Sequence, residues 1–230
     1  MRQPTVLPSS SFDSFERLSH VEKLAAVDVT NIIAGFSRTI IANRDYLNEL
    51  DGKLGDADFG TSISAGFVAV DKIIPGLNSV SAGMALGKIG MTLVKSMGGA
   101  SGPLFGTIFM KAGKELGSKA EIGVLELAGM FSSGLAGVKV LGKSNAGDKT
   151  LIDALEPATM ALEAAATKGS TLKEALSAAY AAAAQGVEST KNMIANRGRA
   201  HYVGERGLGH QDAGATAIQM LFKVFADYVN

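Results

Sequence analysis

An all-α fold is predicted for this chain by three observations. Apolar residues recur at three- and four-residue spacing through most of the sequence, the signature of helices with one buried face. Alternation of β-branched and polar residues, which would mark strands, extends over no useful length. Glycine-rich polar clusters fall between the periodic stretches, where helix connections belong. Together these give about eight helices, and their many short connections make neighbours mostly antiparallel. The expectation is a bundle of eight antiparallel helices, formed by one domain over residues 18–230. No linker divides the 230 residues, and residues 1–17, with Pro4, Pro8 and the Ser9-Ser10-Ser11 run, read as a flexible N-terminal arm.

The helices follow in order. Val21 to Ala42 places Leu24, Val27, Ile32, Ile33, Phe36 and Ile40 at helical spacing. Ile63 to Ile73 stops before Pro75, which cannot continue a helix. Ser81 to Met97 ends at Gly98-Gly99. Pro103 to Leu116 opens with a proline in its first turn, where a missing N–H costs nothing. Glu121 to Val140 is helical in pattern although glycines interrupt it. A helix from Lys149 to Thr167 is followed by one from Thr171 to Asn196, where Thr171 and Glu174 have the spacing of a capping box. Ala215 to Tyr228 closes the chain. The alanine run Ala175 to Ala184 suits close helix packing, with Leu176, Tyr180 and Val187 on its buried face.

Composition narrows the function. Twenty-two basic and 22 acidic residues leave no net charge, which argues against a nucleic-acid protein with its basic stripe. With 47% hydrophobic residues the chain can fill a core. It has no cysteine, which excludes disulfides and thiolate metal sites and fits a cytoplasmic location. No run of about 18 uncharged apolar residues predicts a membrane span, and the N-terminus lacks the apolar middle of a signal peptide. Glycine is in excess, at 28 residues or about 12% against roughly 7% on average. Its clustering suggests helices joined by functional loops.

Four connections are richer than a connector requires. In Leu50-Asp51-Gly52-Lys53-Leu54-Gly55-Asp56-Ala57-Asp58-Phe59-Gly60-Thr61-Ser62, three carboxylates lie within eight residues, separated by glycines. Asp56 and Asp58, two apart in an extended loop, can face one way. Such hard oxygen donors suit Mg²⁺ or Ca²⁺, although the spacing is not that of an EF-hand and a solvated turn uses the same residues. Gly98-Gly99-Ala100-Ser101-Gly102-Pro103 leads into a helix N-terminus, where backbone N–H groups and the helix dipole favour an anion. Ser101 can also cap that helix, and a tight helical corner is the plainer reading. In Gly142-Lys143-Ser144-Asn145-Ala146-Gly147-Asp148-Lys149-Thr150, Asp148 can cap the next helix and Lys149 can reach a phosphate. The long segment Gly198 to Gly214 holds Arg199, Arg206, His201, His210 and Asp212. No serine sits in a nucleophile elbow to complete a triad with them. A carboxylate cluster, an anion cradle and basic loops are the parts of a Mg²⁺–nucleotide phosphoryl-transfer site, so the four loops are expected at one end of the helices.

These motifs resemble a known family. Leu-Asp-x-x-x-Gly-Asp-Ala-Asp-Phe-Gly at 50–60, Gly-Gly-Ala-Ser-Gly-Pro-Leu-Phe-Gly-Thr at 98–107, Gly-Asp-Lys-Thr-Leu-Ile-Asp at 147–153 and Gly-Arg-Ala-x-Tyr-x-Gly-Glu-Arg-x-x-Gly-His-x-Asp-x-Gly at 198–214 are similar, in this order, to the L subunit (DhaL) family of dihydroxyacetone kinases. The resemblance spans about Val21 to Tyr228. It implies an α-barrel of eight antiparallel helices with the nucleotide site in loops at one end. It implies two Mg²⁺ ions on Asp51, Asp56 and Asp58, and ATP or ADP contacted by Phe59, Gly60, Thr61, Ser62, Ala100, Ser101, Gly142, Leu151, Arg199, Asp212, Ala213 and Gly214. It also implies a separate K-type subunit holding the keto-sugar covalently on its own histidine. In one variant ATP exchanges freely, and in the other ADP stays bound and is rephosphorylated by a phosphotransferase-system M subunit. No nucleic-acid or membrane partner is implied.

Three positions depart from the family pattern. Phe59 stands where His is usual, Ser62 where Asn is usual and Ala213 where Pro is usual. A phenyl ring cannot donate to a phosphate, so nucleotide affinity, turnover or sugar range is expected to differ. A divergent paralogue acting on a related keto-sugar such as a tetrulose fits this pattern. The alternative is a non-catalytic nucleotide-binding regulatory subunit. The related L-like domain of fatty-acid kinases needs further domains and an acyl carrier that this chain does not show.

Overall fold

A computed structural model describes residues 22–230, so the expected arm at 1–17 lies outside the described residues. Among the described residues there are nine α-helices and two short 3₁₀ segments. The helices are α1 (Ala26–Ala42), α2 (Arg44–Gly52), α3 (Phe59–Ile73), α4 (Ala82–Ser96), α5 (Ser101–Leu116), α6 (Val124–Gly142), α7 (Ile152–Lys168), α8 (Leu172–Thr190) and α9 (Ala213–Tyr228). The 3₁₀ segments are Ile74–Leu77 and Arg199–Gly207. The only β-type contact among the described residues is the isolated bridge between Leu24 and Ile122. The all-α expectation therefore holds. Each of the eight expected helices is present, and α2 is the addition. Its nine residues, RDYLNELDG, are polar and bury only Leu47, so they offered little apolar periodicity to find.

Chain neighbours pack side by side from α4 through α9, and α9 returns to touch α1, which closes the assembly around one core. Phe36, Phe67 and Phe109 meet edge-to-face on one side of that core. Phe131 meets Phe222 and Phe225 on the other. These rings anchor α1, α3, α5, α6 and α9 to one another, each buried aromatic pair adding ~0.5–1.5 kcal/mol beyond its area. Part of the glycine excess is spent here rather than in loops. Gly83 and Gly90 on α4 and Gly106 and Gly113 on α5 stand where an added Cβ would press on the partner helix's backbone.

Caps fix the ends. Thr171 and Glu174 form the expected reciprocal capping box, and Ser81 caps α4 by accepting from the Met84 N–H. Two expected caps are absent. Ser101 is already inside α5 and gives no side-chain cap. Asp148 does not cap α7, because its carboxylate accepts from the Asn145 N–H and the Asn196 amide instead. No side chain caps α7; Asp153 in its first turn instead ties down the preceding loop, one oxygen accepting from Thr150 N–H and the other from Gly147 N–H.

Helix α6 qualifies the membrane reading. By length and composition it is apolar enough to cross a bilayer. In the fold it lies between α5 and α7, and its charged residues Glu126 and Lys139 are paired with Lys119 and Glu156.

Candidate functional site

All four rich connections converge on one cavity of about 860 Å³ at one end of the helices. That volume lies in the ~300–1,000 Å³ range of small-molecule sites. The end of α2 brings Asp51, the α2–α3 loop Asp56 and Asp58, and the start of α3 Phe59, Thr61 and Ser62. The α4–α5 corner brings Ala100 and Ser101, the end of α6 Gly142, the α6–α7 loop Leu151, the α8–α9 loop Arg199 and Asp212, and the start of α9 Ala213 and Gly214. Among the residues expected to hold metal or nucleotide, Gly60 alone does not line the cavity. It faces α2, where a Cβ would collide with the Arg44 carbonyl oxygen and the Asn48 amide. Glycine at 60 therefore lets α3 approach α2 and brings its first turn to the cavity rim.

The acidic cluster is built by this helix start. Asp51 Oδ2 accepts from the N–H groups of Asp58 (3.0 Å) and Phe59 (3.2 Å), so the end of α2 caps the beginning of α3. Between Asp56 and Asp58 the chain turns at Ala57, whose φ of 60° is a left-handed value uncommon outside glycine. One carboxylate oxygen from each of Asp51, Asp56 and Asp58 lies within 4.8 Å of the other two. Partial loss of solvent, then the neighbouring charges of Asp56 and Asp51, push the Asp58 carboxyl above its ordinary range. Three mutually repelling hard-oxygen donors at this spacing fit a divalent cation such as Mg²⁺. Arg199 supplies a positive charge there, its Nη1 lying 2.8 Å from Asp56 Oδ2.

The opposite wall is shaped for an anion. Ser62 Oγ accepts from the Gly98 N–H at 3.0 Å and lies 3.2 Å from the Gly98 carbonyl. This clamp holds the Gly98–Ala100 corner against α3 and leaves the N-terminus of α5 facing the cavity. Phe59 is almost fully buried and its ring leans on Phe105, 6.1 Å between centroids. Its backbone serves the acidic loop while its side chain serves the core.

Sequence reasoning placed Lys149 near a phosphate. Its ammonium instead donates to three backbone carbonyls, of Met193 (3.2 Å), Gly207 (2.7 Å) and His210 (2.8 Å). Sequence reasoning also missed the apolar wall of Leu54, Pro103, Leu104, Val138, Leu141 and Ile152. These read as ordinary core-facing helix positions, and only their convergence makes a surface on which a flat ring could lie. His201 and His210 do not line the cavity; His201 Nδ1 lies 3.2 Å from the Ala195 carbonyl oxygen.

Fold and site together define an all-helical domain whose loops close a pocket with acidic and anion-receptive walls. Residues 53–227 match the model of the DAK2 domain, and the chain belongs to that family, among the L subunits of dihydroxyacetone kinases. It is 36% identical over 203 residues to the PEP-dependent dihydroxyacetone kinase ADP-binding subunit DhaL of Escherichia coli strain K12, covering 88% of this chain and 97% of that protein. It is 40% identical over 199 residues to the ADP-binding subunit DhaL of PEP-dependent dihydroxyacetone kinase 2 of Listeria innocua, covering 86% of this chain and 92% of that protein. It also resembles the crystal structure of C. freundii dihydroxyacetone kinase in complex with AMP-PNP and Mg²⁺, with a TM-score of 0.68 and 30% identity. That likeness covers 99% of this chain but only 38% of the longer enzyme.

Proposed function

We propose that this chain is the Mg²⁺–nucleotide-binding subunit of a dihydroxyacetone or related keto-sugar kinase. In this reading it supplies a phosphoryl group, from ATP or from a resident ADP/ATP, to a sugar held by a separate K-type subunit. The observation that carries it is the convergence of the Asp51–Asp56–Asp58 cluster and the Gly98–Ser101 corner on one cavity. The relatives named for ADP binding, and the enzyme solved with AMP-PNP and Mg²⁺, support it.

The division of labour follows from the walls. Asp51, Asp56 and Asp58 would hold two Mg²⁺ ions, which when bound neutralise phosphate charge and fix its oxygens. The backbone donors of Ala100 and Ser101 and the Arg199 guanidinium would orient the phosphates. Thr61, Ser62, Gly142, Leu151 and the Asp212–Gly214 turn would enclose the nucleotide. No side chain of this cavity is placed as acid or base, so the chain's contribution is positioning and electrostatics. A phosphotransferase-system M subunit is the partner if the nucleotide stays bound. A cytoplasmic location goes with this reading, because the Mg²⁺–nucleotide pool is there.

Calorimetric titration with ADP and ATP, with and without Mg²⁺, tests it after any co-purified nucleotide is removed. Mg²⁺-dependent binding is expected in the wild type, and Asp56→Ala should weaken it at least tenfold. Tightly retained ADP would indicate the M-dependent variant and freely exchanging ATP the other. Absence of nucleotide binding in the wild type sinks the proposal. One observation favours a second reading, a non-catalytic nucleotide-binding regulator. Phe59 gives the cavity no polar group, although the family resemblance leads one to expect His there, and its ring packs into the core. Nucleotide binding without phosphoryl transfer to a K-bound sugar would select that reading.

A further inference from the structure

The segment between α8 and α9, residues 191–212, carries Arg199 and Asp212 to the cavity, yet most of it is irregular backbone. Its only helical piece is the 3₁₀ segment, which is interrupted at Gly204. Something outside the segment has to hold it. Lys149 on the α6–α7 loop, itself among the residues lining the cavity, does so. Its side chain is buried, 1% exposed, and its ammonium meets carbonyls from three separated points, Met193, Gly207 and His210. An ammonium has three N–H donors and no acceptor, so its hydrogen-bonding capacity is fully used. The backbone at Lys149 has a φ of 59°, a left-handed value that turns the side chain away from the run of the loop. Asn196 ties the same two segments at a second point, its N–H donating to the Asp148 carbonyl and its side-chain amide to the Asp148 carboxylate.

We propose that Lys149 is a positioning residue for nucleotide binding, a buried three-point fastener that sets the α8–α9 segment so that Arg199 and the Asp212–Gly214 turn stand at the cavity. The proposal rests on the nucleotide-binding reading above. It assigns Lys149 no contact with the nucleotide. Burial disfavours the charged ammonium and lowers its pKa, with nearby Asp212 opposing that effect, so the three carbonyl partners are what chiefly keep the charge in place. A neutral residue of the same size would leave three carbonyls without donors, and the segment would detach to reach water.

The absence of cysteine makes the test clean. Lys149→Cys introduces a single thiol. Alkylation in denaturant with 2-bromoethylamine, followed by refolding, restores an ammonium on a side chain of nearly lysine length. Alkylation with 1-iodopropane gives the same length without the charge or donors. Mg²⁺–ADP affinity, hydrogen exchange of residues 191–212 and the nucleotide-free melting temperature are measured on each form. The S-propyl form is expected to bind Mg²⁺–ADP at least tenfold more weakly and to exchange faster in residues 191–212, while α4 and α5 keep their protection. The aminoethyl form should recover affinity to within about threefold of wild type. An S-propyl form that binds like wild type overturns the proposal. So does an aminoethyl form that recovers the melting temperature but not the affinity, since Lys149 would then only fill the core. If the S-propyl form does not refold, Lys149→Gln, which keeps two donors, decides the matter. Its nucleotide affinity should fall at least threefold with faster exchange in the same segment, and wild-type values for both overturn the proposal. Wild-type protein that binds no nucleotide refutes the underlying functional reading, an outcome seen before any variant is made.

Discussion

Arg199 sits on the candidate metal cluster, its guanidinium 2.8 Å from Asp56, and it lines the cavity where we propose that it meets a phosphate. Those two tasks compete. A cation arriving at Asp51, Asp56 and Asp58 has to displace the guanidinium from Asp56, and the freed arginine is then available to a phosphate oxygen. Charge logic gives this a sign that a supporting role would not. Arg199→Gln should raise the affinity of the nucleotide-free protein for Mn²⁺, used as a spectroscopic stand-in for Mg²⁺. The pair is largely exposed, so its worth is ~0.2–1 kcal/mol and the gain at most about fivefold, shrinking as salt rises. The same variant should weaken Mg²⁺–nucleotide binding. Mn²⁺ titration followed by electron paramagnetic resonance reads the first effect, and unchanged or weaker Mn²⁺ binding would reject it.

At the scale of elements, the pocket depends on helices meeting more closely than their side chains would ordinarily allow. Pro157 lies inside α7 and has no N–H to offer the carbonyl of Asp153, four residues earlier. Gly186 of α8 stands against that carbonyl, and a Cβ there would overlap its oxygen. The side chain of the same Asp153 holds the Gly147 and Thr150 amides beside the cavity. Gly186→Ala should therefore act at two places. Overpacking costs ~1–3 kcal/mol, and α7 should shift enough to disturb the Gly142–Leu151 wall. Chemical denaturation should show the stability loss, with an accompanying drop in nucleotide affinity, and a stable variant with wild-type affinity would contradict the argument. Such contacts explain what could be read from the sequence and what could not. The eight periodic helices and the Thr171–Glu174 cap follow from local rules, because each announces itself within a few residues. The Gly186–Asp153 contact joins residues 33 apart, and nothing local marks it. Helix α2 escaped for the opposite reason, being short, polar and nearly coreless. The carboxylate loop was readable because its three members are close in sequence. Lys149 was read toward a phosphate because its acceptors are backbone carbonyls, which no residue identity reveals.

For the whole molecule, the cavity end concentrates acidic groups that folding brings together, and this sets how stability responds to pH. Burial, helped by the nearby charge of Asp153, pushes the Asp212 carboxyl up to about 7, against the downward pull of the Ala215 amide and Lys149. Asp153 and Asp58 are raised as well, each first by loss of solvent. Glu126, Asp148 and Glu174 are lowered at the helix caps and turns they hold, and their contribution is lost only as pH falls through the acid range. For Asp212 the folded value exceeds the unfolded one, so between about 4 and 7 the folded protein keeps a proton that the unfolded chain has released. Its stabilising contribution is complete below the unfolded value and is lost as pH rises through about 7. Without divalent cation or nucleotide, the melting temperature should then fall from pH 5 to pH 7.5. One proton accounts for at most ~1.4 kcal/mol per pH unit, or roughly 3–5 °C for a domain of this size. Asp212→Asn keeps a good helix cap for α9 but cannot titrate. It should flatten that slope while leaving the loss of stability below pH 4 in place, since the lowered carboxylates are untouched. A wild-type slope in Asp212→Asn would show that the acidic end of the molecule is not governed by this residue.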